Sequence, residues 1–300
     1  MKMETYSRVG SWVMNSLGLY YLWVHITSDR SVRGPADFVE ALFWGSILCI
    51  ARYITTKYLF SKLGSQVIGS KRGKPQKVAK FATCAFKTVC FSILVVFEWS
   101  VLRDKEFTPR LLLGAGETEK LWTAGYTPPG ALVSVFMASL GYHLHSTIYH
   151  VFVVDKRSDY HQMVLHHVLT LWLMILSYME GHIRGGTFIV LLNDLPDIFV
   201  YSSKMLGDTV FFKSSIVSYV LLTITYFYCR LIVAPVSIYW SMMIEAETMS
   251  RFEVWVYSGF VGALYVLHFY WFILIVKIGL NIAKTGSRKD ILADMACNDD

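Results

Sequence analysis

The chain has 300 residues, 54% of them hydrophobic and only 17% charged, against about a quarter charged in an ordinary soluble domain. So few charges cannot cover a water-facing surface when the apolar residues come in long runs, which excludes an ordinary soluble two-domain enzyme. With 20 Gly, 7 Pro and 5 Cys, collagen, low-complexity disorder and a secreted disulfide scaffold are excluded as well, and the unpaired cysteine count without any C-x-x-C indicates no zinc site.

In chain order, residues 9–26 are mildly apolar but interrupted by Asn15, Ser16 and His25, with no small-residue cleavage site. They read as an interfacial or re-entrant helix rather than a signal peptide. Runs of about 20 apolar residues follow near 38–60, 81–102, 131–154, 161–180, 186–203, 214–238 and 253–278. The weakest are 81–102, which carries Lys87 and Glu98, and 186–203, which carries two aspartates. Helical periodicity and run length argue against a β-barrel. The expected fold is all-α: a polytopic membrane protein of about seven transmembrane helices. A lumenal segment (1–37) would precede one membrane domain (38–283), and a polar cytosolic tail (284–300) would follow it.

Basic residues favour the cytosolic side of a membrane protein. The first loop carries Lys62, Lys71, Arg72, Lys74, Lys77 and Lys80 and no acid. The turns with Lys156 and Arg157 and with Lys204 and Lys213, and the tail with Lys284, Arg288 and Lys289, fall on the same side. The opposite loops balance their bases with Glu106, Glu117, Glu119, Glu245 and Glu247. The N-terminus is therefore expected in the lumen or outside and the C-terminus in the cytosol. Juxtamembrane bases facing anionic lipid account for the net charge of +6, so no nucleic-acid partner is needed.

An ionisable group within a span costs a few kcal/mol on insertion scales and so usually faces the bundle interior. Span four holds His166, His167, Thr170, Ser177 and Tyr178; span five holds Asn193, Asp194, Asp197, Tyr201 and Lys204. His166, Thr170 and Ser177 share a helix face, and Asp194, Asp197, Tyr201 and Lys204 form one stripe. Two polar stripes on sequential antiparallel helices imply a shared cavity. His166 and Asp197 lie roughly 8 and 9 Å from the cytosolic ends of their runs at 1.5 Å per residue, so they stand level. Such a pair supplies a base and the carboxylate that orients it. His143, His145, His150 and His161 fall at spacings that turn neighbouring imidazoles to different faces, so they read as polar lining or interhelical hydrogen bonds, and no metal site is expected. Arg230 in span six either snorkels or pairs with an acid.

The segments D-K-R-S-D-Y (155–160), H-H-V-L-T (166–170), S-Y (177–178), R-G (184–185), N-D-L-P-D (193–197) and K-M (204–205) together resemble the signature region of the ceramide synthases, within the TLC-domain group. K-F at 80–81, the Tyr142 to Tyr149 segment, R-L-I-V-A-P at 230–235 and L-I-V-K-I at 274–278 extend the resemblance to roughly 38–290, with a core of about 80–280. It implies an acyl-CoA-dependent N-acyltransferase of the endoplasmic reticulum membrane that joins a fatty acyl chain to a long-chain sphingoid base. Six helices would form a barrel around a lipid tunnel, with the first helix outside. The essential pair falls on His166 and His167 and the two aspartates on Asp194 and Asp197. The candidate substrate-binding residues are Tyr149, Thr170, Ser177, Tyr178, Arg184, Asn193, Tyr201, Lys204 and Arg230. The family usually has His where this chain has Asn193, and Asn can hydrogen-bond but cannot relay a proton.

On this reading His166, oriented by Asp197, either takes the proton of the amine or attacks the thioester, with His167 or Asn193 supplying a hydrogen bond. No cofactor is bound permanently; acyl-CoA is a co-substrate, its phosphates suited by Lys62 to Lys80, Arg157 and Lys204. The partners expected are acyl-CoA, a sphingoid base, membrane lipids and either a second copy of the chain or a small accessory subunit. The alternative is a non-enzymatic TLC-type protein for lipid binding, sensing or trafficking.

Overall fold

A computed structural model describes residues 34–69, 73–123, 126–154, 159–244 and 249–285. The 9–26 stretch, the tail beyond 285, and Lys71, Arg72, Lys156, Arg157, Glu245, Glu247 and Cys297 lie outside the described residues.

Seven long helices occupy the seven apolar runs: α1 (Phe38–Val67), α2 (Lys74–Leu102), α3 (Gly130–Phe152), α4 (Tyr160–Met179), α5 (Ile183–Leu206), α6 (Phe212–Ile244) and α7 (Arg251–Thr285). No strand occurs among the described residues, and the fold is that of an all-α polytopic membrane protein. Five of the helices, α1, α2, α4, α6 and α7, are long and apolar enough to cross a membrane. Helices α3 and α5 match them in length but carry more polar residues.

Local sequence sets the boundaries. Gly73 has φ 64°, the left-handed region that costs glycine nothing, and Pro75 enters the first turn of α2, where a missing N–H is harmless. Pro129, with its fixed φ, precedes α3. Where α2 ends, the Thr108 hydroxyl donates to the Leu102 carbonyl (2.6 Å), satisfying one of the acceptors that a helix terminus leaves open. Helices α1 and α6 contain wide π-type turns at Thr55–Phe60 and Phe227–Tyr239, the second around Pro235.

Helices α2 to α7 close into a ring in the order α2, α3, α4, α7, α6, α5, each packed on the next and α5 back on α2. Helix α1 stays outside the ring, against α2 and α3. Its approach to α3 depends on glycine: a Cβ at Gly141 would stand 2.5 Å from the Ala41 carbonyl oxygen. Small residues allow such approach where lipid offers no hydrophobic drive between helices.

The two ends of the ring differ. At the end bearing the basic loops, Lys80 pairs with Asp208 (3.0 Å) and joins α2 to the α5–α6 turn. At the opposite end the 103–123 connection folds over the ring. Lys120 donates to Glu106 (2.6 Å) and Glu117 there, and these hydrogen bonds, Glu106 first, raise its pKa. Beneath that loop Trp122, 1% exposed, donates its indole N–H to the Ser241 hydroxyl (2.9 Å).

Candidate functional site

The ring encloses a cavity of about 560 Å³ including its mouth. Its walls come from α3, α4, α5 and α7, and Trp122 borders it. Helix α4 contributes His166, Thr170 and Ser177, the face that helical periodicity places together; α5 contributes Asn193, Asp194 and Asp197. His166 also packs against two rings of α7, with centroids 5.4 Å from Trp271 and 6.0 Å from His268.

The adjacent histidines part company. Successive residues on a helix are turned by about 100°, so while His166 meets the cavity, His167 turns to α3, with its ring 5.4 Å from that of His150. The α5 stripe divides as well. Asp194 and Asp197 line the cavity, whereas Tyr201, one turn on, accepts a hydrogen bond from Lys87 (3.1 Å) and stacks on Phe91. The Lys204 ammonium stands 5.9 Å from the Tyr201 ring.

Each aspartate has a cationic or cation-forming partner, and neither is His166. Asp197 accepts a hydrogen bond from the Arg230 guanidinium (2.7 Å), which also donates to the Asn193 carbonyl (2.5 Å). Pro196 lies inside α5 and donates no backbone N–H to the Leu192 carbonyl four residues back. The wide turns of α6 bring Arg230 to that spot. Asp194 Oδ1 lies 3.3 Å from His143 Nε2, within ion-pair distance though not aligned as a hydrogen bond. The expected His166–Asp197 pair is therefore replaced by Arg230–Asp197 and His143–Asp194. Position on one helix shows which residues share a face but not which neighbouring helix meets it.

The other sequence candidates occupy three places. Tyr149 lies under the Arg52 guanidinium, 3.2 Å from the ring centroid. Tyr178 donates to Asp37 (2.6 Å), and Arg184 donates to the Thr123 carbonyl (2.8 Å) and covers the Tyr126 ring, so both hold the opposite end of the ring together rather than facing the cavity. Ser177 donates to its own helix at Met174 and touches the cavity. His145 packs on Phe86 and Tyr142. Among the described residues no group of three or more His, Cys, Asp or Glu is disposed to hold a metal ion.

Sequence reasoning passed over Arg52, Glu98, Trp122 and the partner role of His143. Glu98 is fully buried and accepts from Ser139 (2.6 Å) near Asp194. Arg52 is 0% exposed, and its three guanidinium nitrogens have no hydrogen-bond partner among the described residues. The available signal was a charge deep inside a predominantly apolar run.

The cavity presents polar atoms without partners. Asn193 donates its amide to the Ile189 carbonyl (2.7 Å), which leaves Oδ1 as an open acceptor. Thr170 Oγ1, His166 Nδ1 and both oxygens of Asp194 are likewise buried without a hydrogen bond. Buried polar atoms normally have partners, so this concentration marks a place built to receive a polar group from outside the chain.

Residues 80–277, about two thirds of the chain, match the family model of the TLC domain. The chain is 26% identical over 268 residues to ASC1-like protein 1 of Oryza sativa subsp. japonica, covering 83% of this chain and 86% of the relative. It is 25% identical over 273 residues to Ceramide synthase LOH1 of Arabidopsis thaliana, covering 83% and 87%. With Ceramide synthase 4 of Homo sapiens it shares 28% over 167 residues, 55% of this chain and 42% of the relative.

Proposed function

The chain belongs to the TLC-domain family, and from that premise we propose that it is an acyl-CoA-dependent N-acyltransferase that makes (dihydro)ceramide from a fatty acyl thioester and a long-chain sphingoid base. The observation that carries this reading is the cavity in which His166, Asp194 and Asp197 meet the open Oδ1 of Asn193 and the unpartnered hydroxyl of Thr170. An amine flanked by hydroxyls is the headgroup such donors and acceptors fit. The named similarity to ceramide synthases supports the same substrate class.

The chemistry requires an unprotonated amine, a polarised acyl carbonyl and exclusion of water. His166 is placed to accept a proton or to take the acyl group as an acyl-imidazole, and its ring is held by Trp271 and His268. Asp197 acts through Arg230, whose guanidinium ties Asp197 to the Asn193 carbonyl and so holds this stretch of α5 against α6. Thr170 offers a hydroxyl to the developing oxyanion. Trp122 and the folded loop close the end away from the basic loops.

At the basic end Arg52, Lys87 and Lys204 gather around Tyr149 and Tyr201. Of the basic groups at this end, the partly exposed Lys204 and the exposed Lys62 suit the phosphates of coenzyme A, while Arg52 is buried. The reading places the protein in the endoplasmic reticulum membrane, with this end and the C-terminus toward the cytosol and the N-terminus in the lumen, as either a homodimer or a complex with a small accessory subunit.

The test is N-acylation of a sphingoid base by a panel of acyl-CoAs in detergent-purified protein, beside His166→Ala and Asp197→Ala. Turnover in wild type with at least a hundredfold loss in His166→Ala is expected, the scale of a lost base or nucleophile. A second reading, a non-enzymatic lipid-binding, sensing or trafficking protein, is favoured by the engagement of Asp197 with Arg230 instead of His166. It predicts no turnover with any acyl-CoA while folded protein binds sphingoid lipid equally well with and without His166.

A further inference from the structure

We infer that His143, held by Asp194, is the group that takes the proton from the incoming ammonium, so that proton transfer and acyl transfer are served by imidazoles on two different helices. This rests on the acyltransferase reading above. His143 is 7% exposed, lines the cavity from α3, and turns Nε2 toward Asp194 Oδ1 at 3.3 Å. His166 lines the same cavity from α4, next to Asn193 and Thr170.

The tautomer follows from the pairing. A carboxylate facing Nε2 favours the proton on that nitrogen, which leaves the lone pair on Nδ1 to receive the proton of the ammonium. Asp194 is suited to this task because its oxygens make no hydrogen bond and stand within ion-pair distance of His143, whereas Asp197 is committed to Arg230. Glu98 lies within electrostatic reach of Asp194 and accepts a hydrogen bond from Ser139 behind the pair. His166 has no carboxylate partner to orient it for proton transfer; its ring packs between Trp271 and His268 with Nδ1 unpartnered, which leaves it to the acyl group.

In the step itself the ammonium gives one proton to His143 Nδ1. The freed amine forms a C–N bond to the acyl carbonyl carbon, and the bond from that carbon to its leaving group breaks. The second N–H proton leaves with the displaced thiolate or with the His166 nitrogen. One amide and one thiol result, and His143 returns its proton to solvent.

The groups facing His143 across the ring are Asp194 on α5, Glu98 on α2, His166 and His167 on α4, and Arg230 on α6 beyond Asp194. Because all but one residue stay constant in a single variant, the difference between two pH profiles isolates His143. The experiment measures kcat of N-acylation from pH 6.5 to 10 for wild type, His143→Gln and Asp194→Asn, with thermal midpoints recorded in the same detergent. The expected result is a loss of about a hundredfold in His143→Gln at pH 7. It should narrow to under threefold as pH approaches the alkylammonium value of about 10, where the ammonium loses its proton unaided. Asp194→Asn should follow the same profile, and the double variant should lose no more than the worse single one. A loss equal at every pH, or no loss at pH 7, overturns the assignment of His143. Should His143→Gln not fold, Asp194→Asn carries the same pair of outcomes. Absence of wild-type turnover would instead sink the acyltransferase reading, and this assignment with it.

Discussion

Helices α5 and α7 stand on the same ring and are built on opposite plans. Helix α5 carries Arg184, Asp194, Asp197 and Lys204, a proline and two adjacent glycines, yet 12 of its 24 residues are buried. Helix α7 is the more apolar, yet among its residues of described burial, 251–284, only Tyr257, Val261, Leu264, Leu267 and His268 are buried. In a water-soluble protein the more apolar helix would be the inner one. Here lipid is as apolar as a leucine side chain, so an apolar surface gains nothing by hiding and a charge gains a great deal. Polarity, not hydrophobicity, therefore marks the helix at the centre of the functional region.

The largest test of that contrast removes one charge from the α5–α6 contact. Arg230→Leu or Asp197→Leu alone would leave its partner charged in a dry site, and each should cost about 3–5 kcal/mol, read as a fall in thermal midpoint in detergent. The double variant Arg230→Leu/Asp197→Leu should regain more than half of that loss. If the singles are no worse than the double, the pair is solvated and α5 is not the inner helix described here.

A smaller effect should follow from crowding α5 against α4. A Cβ at Gly186 would stand 2.4 Å from Ser177 Oγ and 3.3 Å from the Phe136 ring. Gly186→Val should cost about 1–3 kcal/mol as the helices spread. An unchanged midpoint would mean that α4 and α5 lie further apart than the cavity geometry requires.

These tests also show what could be read in advance. All seven helices were legible because each run is long enough to span a membrane, and the His166–Thr170–Ser177 face because helical periodicity is a local property. The membership of Asp194 and Asp197 in the cavity was legible for the same reason. Their partners were not. Lys87 and Glu98 looked like weaknesses of an apolar run until their partners were known: Tyr201, 114 residues away, and Ser139, 41 away. His143 and Arg230 reach α5 from α3 and α6, and nothing local to either run names the helix that it will meet. Pairing across a bundle is set by ring order and by features such as the wide turns around Pro235, which one-dimensional periodicity does not encode.

The smallest effect belongs to the outer face of α7, and it is the most direct check on the rule that apolar means outward. Phe269 is 53% exposed and sits beside the buried His268, so the two neighbours face opposite media. Phe269→Leu keeps an apolar side chain against lipid and removes no buried contact of the ring, so the thermal midpoint should move by less than the equivalent of about 0.5 kcal/mol and N-acylation should be unchanged. His268→Leu, one residue away, alters the ring that packs on His166 and should lower turnover while leaving stability nearly as it was. If Phe269→Leu instead destabilises the protein by more than about 2 kcal/mol, as truncation of a core aromatic would, that face of α7 is covered by protein, and the second copy or accessory subunit proposed above would be seated there.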